Sequence, residues 1–66
     1  MKVPKFDLGD TVISDARHDK EVITVDTMVW HVGYGQWHVN KGEDTECFTH
    51  HITHRYSKNK EKWIKL

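Results

Sequence analysis

The stretch Trp30-His31-Val32-Gly33-Tyr34-Gly35-Gln36-Trp37-His38-Val39 carries an internal echo, Trp-His-Val on either side of a glycine-containing link. Two glycines in a four-residue link are a strong hairpin signal, because glycine reaches the positive φ angles that tight reversals need. A loop over residues 33–36 sets Val32 opposite Trp37, His31 opposite His38 and Trp30 opposite Val39. That register puts Trp30, Val32, Trp37 and Val39 on one face and both imidazoles on the other. Directly opposed side chains sit ~5 Å apart, and aromatic–β-branched pairs add ~0.2–1 kcal/mol each. Sliding one strand by a single residue would bury the histidines instead.

Upstream, Val22-Ile23-Thr24-Val25-Asp26-Thr27 alternates with Ile23 and Val25 on one side. From Met28 the apolar set becomes Met28, Trp30 and Val32, so the parity changes. A strand of period two changes faces only through an irregularity, which predicts a bulge or sharp bend near residues 26–29. Before it, Phe6-Asp7-Leu8-Gly9-Asp10-Thr11-Val12-Ile13 reads as a turn at Gly9-Asp10 leading into a strand from Val12. Phe6 and Leu8 are expected to fold back over the core. Residues 14–21 read as an exposed loop. Downstream, residues 40–44 read as a polar turn and residues 45–48 as a short strand with Cys47 or Phe48 inward. Residues 49–54 read as a single helical or 3₁₀ turn, with Thr49 as N-cap and Ile52 tucked inward. Residues 57–60 make a turn before a closing strand over residues 61–66.

Composition agrees with an all-β domain. The 66 residues hold seven valines, four isoleucines and six threonines against one alanine and two leucines. Branching at Cβ suits a pleated sheet better than a helix. So short a chain forms one domain, residues 1–66, with residues 1–4 as a loose N-terminal lead. The lone Cys47 closes no internal disulfide. No apolar run approaches the ~18 residues of a membrane span, and residues 1–20 lack a signal-peptide core. A cytoplasmic protein is expected.

The order Phe6-x-Leu8-Gly9-Asp10-x-Val12, a polar loop, a bent Val22-Ile23-Thr24-Val25 strand, an aromatic hairpin and a one-turn helix before a last strand resembles the SH3-like small barrels. It is nearest in style to Tudor and KOW-type members and to stand-alone barrels of bacteria and phages. The resemblance covers residues 5–66. It implies a five-stranded, strongly bent barrel that binds a peptide or nucleic acid and is not an enzyme. Neither an aromatic cage for methyl-lysine nor a proline-peptide groove carries over residue by residue.

Formal net charge is zero, with ten basic and ten acidic residues, so no global field recruits a polyanion. The C-terminal segment is nevertheless basic, with Arg55, Lys58, Lys60, Lys62 and Lys65 against Glu61. Six histidines are the compositional oddity. His31 and His38 form the expected cross-strand pair, and His50 and His54 share a face at i,i+4 on a helical turn. Either set with Cys47 is conceivable for zinc, but no CxxC, HExxH or paired CxxC…HxxxH spacing supports it. No metal or cofactor is expected. With imidazoles titrating near ~6.5, the formal charge climbs steeply just below neutrality. Solubility is expected to be lowest near the pI of 7.0. Ser14 and Ser57 lack a nucleophile context, and no catalytic residue is expected.

The leading expectation is a protein-interaction module using Tyr34, His31, His38 and Tyr56, with Tyr34 at the hairpin tip as anchor. The alternative is weak nucleic-acid binding through Arg55, Lys58, Lys60, Lys62 and Lys65, with Tyr56 or Trp63 stacking on bases. A third reading is self-assembly, the small core being completed by another copy.

Overall fold

The β-branched segments form seven short strands in the computed structural model, which describes residues 3–17 and 19–66. In chain order these are β1 (Thr11–Ser14), β2 (Glu21–Thr24), β3 (Met28–His31), β4 (Gln36–Val39), β5 (Cys47–Phe48), β6 (Ile52–Ser57) and β7 (Lys62–Lys65), with a 3₁₀ turn over Thr49–His51 before β6. One antiparallel sheet has the order β2-β1-β6-β7 and the other β3-β4-β5. The chain is therefore all-β. The expected five-stranded closed barrel is replaced by seven strands in two sheets. Two differences account for the count. The bent ribbon breaks into β2 and β3, and residues 52–57 form a full strand where a helical turn and a loop were expected. Of the expected loose residues 1–4, residues 1 and 2 lie outside the described residues, as does His18 of the loop after β1.

The N-terminal turn forms as its residues dictate. Gly9 has φ +87°, and the Asp10 carboxylate accepts the Asp7 N–H at 2.8 Å. The Gly9 N–H donates to the Val25 carbonyl and the Val25 N–H to the Asp10 carbonyl, extending the β1–β2 ladder. Phe6 is buried, but Leu8 projects outward at 63% exposure because it sits on the turn. Ser14 closes β1 and is fully buried, so the loop starts one residue later than expected.

Inward-facing positions of both sheets meet in one core of Phe6, Val12, Ile23, Val25, Val39, Cys47 and Ile52, with Ala16, Met28 and Leu66 packed against it. In β6, Ile52 pairs with Ser14 while His54 pairs with Ile13, so Thr53 is an inserted residue. That bulge lets Ile52 point inward while the strand continues to Ser57.

The predicted parity break falls at residues 25–27, between the two sheets, and one buried side chain holds it. Asn40 is fully buried in the left-handed region at φ 55°. Its Oδ1 accepts the N–H groups of Asp26 at 2.8 Å and Thr27 at 3.2 Å. Its Nδ2 donates to the Thr24 carbonyl at 2.9 Å and to Thr45 Oγ1 at 3.0 Å. Its own N–H donates to the Thr27 carbonyl. A corner that would strand backbone groups inside the protein is thereby satisfied by one amide.

The aromatic hairpin keeps the expected faces in a different register. Met28 lies opposite Val39, Val29 opposite His38, Trp30 opposite Trp37 and His31 opposite Gln36. The loop is residues 32–35, closed by the Gly35 N–H on the His31 carbonyl at 2.9 Å, with Gly35 at φ +64°. Val32, expected inside, is therefore on the loop and 83% exposed. Trp30 and Trp37 stay on the inward side, edge to face with centroids 5.4 Å apart. They are half-buried rather than sealed in the core. Together with Phe6, Ile52 and Leu66 they line an open cleft of about 530 Å³ where the two sheets part.

Candidate functional site

The outer face of β3-β4-β5 gathers an aromatic and histidine platform. Position parity on these strands sends Val29 and His31 of β3, His38 of β4 and Phe48 of β5 to the same side, away from the core. Phe48 is its hub. His38 stacks on it with centroids 4.6 Å apart and a 20° interplanar angle. Tyr34 meets it edge to face at 5.0 Å, and His31 does so at 5.7 Å. His31 and Tyr34 stack at 4.3 Å and 11°. On the far side, His50 lies near-parallel to Phe48 at 6.3 Å and touches His51 at 3.9 Å.

Polar contacts fix these rings. The Tyr34 N–H donates to His31 Nδ1 at 3.1 Å, and the Phe48 N–H donates to His51 Nδ1 at 3.2 Å. Each imidazole caps a backbone amide three residues away, accepting through Nδ1 and leaving Nε2 to face outward from that contact. Gln36 joins the hairpin to the 3₁₀ turn. Its Oε1 accepts from Thr49 Oγ1 at 3.0 Å, the His50 N–H at 3.1 Å and His50 Nδ1 at 2.7 Å. His38 Nε2 lies 3.4 Å from a Glu46 carboxylate oxygen. Burial, helped by the neighbouring His50 and opposed by Asp15, lowers the His51 pKa below the ordinary imidazole value. Tyr34 remains 64% exposed in spite of its ring contacts.

Three of the four expected partner-binding residues, Tyr34, His31 and His38, thus converge. His31 and His38 do so diagonally through Phe48 and not as the direct pair that the predicted register required. Tyr56 does not join them. It lies on the other sheet, opposite Trp63 with centroids 5.4 Å apart, and both rings are more than a third exposed. Phe48, Gln36, His50 and His51 are platform residues that the sequence reading did not assign to it. The available signal was Phe48 next to an inward Cys47, since strand alternation then turns the ring outward.

The other candidates are scattered. The 3₁₀ turn ends at His51 and is preceded by Phe48 in the N-cap position, not Thr49. His50 and His54 therefore share no helix face, and His54 sits on β6 with Nδ1 2.8 Å from Thr53 Oγ1. Cys47 is buried in the core, and burial pushes its thiol pKa up. Among the described residues no three His, Cys, Asp or Glu side chains are grouped as metal ligands. The basic set is also divided. Arg55 and Lys62 share the face of Val12 and Ser57, Lys65 shares the opposite face with His54, and Lys58 and Lys60 lie in the β6–β7 turn. Ser14 Oγ accepts the Ala16 N–H, and Ser57 Oγ accepts the Lys60 N–H. No described helix is long and apolar enough to cross a membrane.

Comparison of the chain with models of known protein families, with curated proteins and with solved structures found no match.

Proposed function

We propose that this protein is a small non-enzymatic binding module that engages a protein partner through the Phe48-centred platform, with Tyr34 as the projecting anchor. The observation that carries this reading is the posture of Tyr34. Its ring is exposed, yet it is stacked on His31, edged against Phe48 and capped through its own N–H. A large aromatic held in place before binding loses little conformational freedom on contact, which favours it as a hot spot. Binding without catalysis agrees with the hydroxyls of Ser14 and Ser57 being engaged by backbone amides and with the Cys47 thiol being buried. The reading includes a cytoplasmic location, for which a single unpaired thiol is suited. It also includes kinship with SH3-like barrels, opened and extended by β6, of the stand-alone bacterial or phage kind. Support for that kinship is the order of a ribbon bent at residues 25–27, a 3₁₀ turn and a strand returning to β1.

Capture of partners from the native cell tests the proposal. Tyr34→Ala is expected to lose the captured protein while a Lys58→Ala/Lys60→Ala chain retains it. Capture indifferent to Tyr34→Ala overturns the reading.

The exposed Tyr56–Trp63 pair on a lysine-bearing hairpin favours a second reading, weak single-stranded nucleic-acid binding by base stacking. Retention of an oligonucleotide at 50 mM salt that falls steeply as salt rises would support it. No retention at that salt removes it.

A further inference from the structure

We infer that the outer edge of β3 is a self-pairing surface, on which a second copy of this chain adds its own β3 antiparallel to form a two-fold dimer. The backbone sets the geometry. The Asn40 N–H donates to the Thr27 carbonyl, and the Gly35 N–H to the His31 carbonyl. Alternation along an antiparallel ladder then turns Thr27, Val29 and His31 toward β4 and leaves the N–H and C=O of Met28 and Trp30 pointing away from it. β3 pairs with β4 alone, so this edge carries no ladder partner among the described residues.

The edges of the two sheets are treated differently. β7, at the end of the four-stranded sheet, carries Lys62 and Lys65, the kind of charge that blunts a strand edge against pairing. β3 reads Met-Val-Trp-His, with no lysine, acid, proline or glycine, and its Val29 is 49% exposed. Exposed, apolar and unblunted, it has the features of a strand that accepts a partner.

The sequence of that edge selects another copy of itself. A two-fold axis through Val29, perpendicular to the sheet, places Met28 opposite Trp30 of the second copy and Trp30 opposite Met28 of the second copy. Each such pair exchanges both of its N–H···O bonds, using the groups that point outward. Valine meets valine on the platform side, and methionine meets indole on the cleft side, where a thioether makes favourable aromatic contact. Faces match without any change of parity, and two three-stranded sheets become one continuous sheet. Zero formal net charge leaves no overall repulsion between copies near neutral pH. The dimer does not depend on Tyr34, so it stands apart from the platform reading.

Sedimentation across concentration, with amide exchange on the same samples, tests the inference. The chain is expected to shift from its 7.8 kDa monomer toward twice that mass. Amide protection should rise with concentration at Met28 and Trp30 above all. Val29→Lys, at an exposed position on the axis, is expected to abolish both effects, while Val32→Lys on the loop and Tyr34→Ala leave them. A chain that stays monomeric up to its solubility limit overturns the inference. So does a dimer that tolerates Val29→Lys, or native Met28 and Trp30 amides whose exchange ignores concentration. If the Met28 and Trp30 amides gain protection only with a captured foreign protein bound while sedimentation never changes, the edge serves another chain and the dimer is wrong.

Discussion

The molecule has two exposed aromatic surfaces that are held in different ways. On β6–β7, Tyr56 and Trp63 form one cross-strand edge-to-face pair flanked by lysines. On β3-β4-β5, Phe48 touches four other rings, one of which, His31, doubles as a backbone cap, and His51 caps the Phe48 amide itself. Exposure alone would rank them alike. The difference is that the platform is cross-linked from three chain segments, so altering one ring loosens several others. The β6–β7 pair belongs to a single hairpin and can be altered locally.

The largest way to break this contrast is at the joint between the sheets. Asn40→Ala removes an amide that satisfies the backbone of Thr24, Asp26 and Thr27 inside the protein. Unsatisfied buried groups cost about 1–3 kcal/mol each, so a loss of about 3 kcal/mol or more is expected in urea unfolding. Asn40→Gly, which relieves the left-handed backbone but not the missing amide, should recover about 1 kcal/mol of that. Equal losses for the two variants would mean that the conformation at residue 40 contributes nothing. Next in size, Phe48→Ala is expected to cost about 2 kcal/mol and Trp63→Ala about 1 kcal/mol or less, given partial exposure and a single pair. Tyr34 should gain motion in the first variant only, as read by relaxation of its ring resonances. If Trp63→Ala costs more than Phe48→Ala, the platform is not the better-braced surface.

The smallest effect is that of pH. His51 has its pKa lowered by burial, so the unfolded chain takes up a proton before the folded one does. The contribution of neutral His51 is present above the unfolded value near ~6.5 and is lost as pH falls through the lower folded value. Protonation also puts a hydrogen on Nδ1, where the Phe48 amide donates. Stability should fall modestly below pH 6.5, and His51→Gln should flatten the slope. A slope unchanged in His51→Gln assigns the effect to other histidines.

These contrasts show what could be read from residues alone. The facing of the hairpin was legible because Trp30, Trp37 and Val39 against His31 and His38 allow one parity. Its register was not, since Gly33 and Gly35 both permit a reversal and the positive φ went to Gly35. The bend at residues 25–27 was legible from the parity change, but its brace was not. Asn40 sits in a run of turn-forming residues and looks like one more of them, and only its opposition to the break marks it out. Strand β6 was hidden for a different reason. Thr49-His50-His51-Ile52-Thr53-His54 has little propensity of its own, and the bulge at Thr53 breaks the alternation that would have announced a strand. The platform was half visible, through Tyr34 and the two hairpin imidazoles. Its hub depended on knowing which of Cys47 and Phe48 turned inward.

That choice has a practical consequence. With Cys47 opposite Val39 and 3% exposed under the platform, the chain carries a single sulfhydryl that is largely shielded from reagents while β5 is in place. The rate at which a thiol dye labels the native protein therefore times the breathing of that strand, with no engineered probe. A ligand seated on Phe48 would slow this clock.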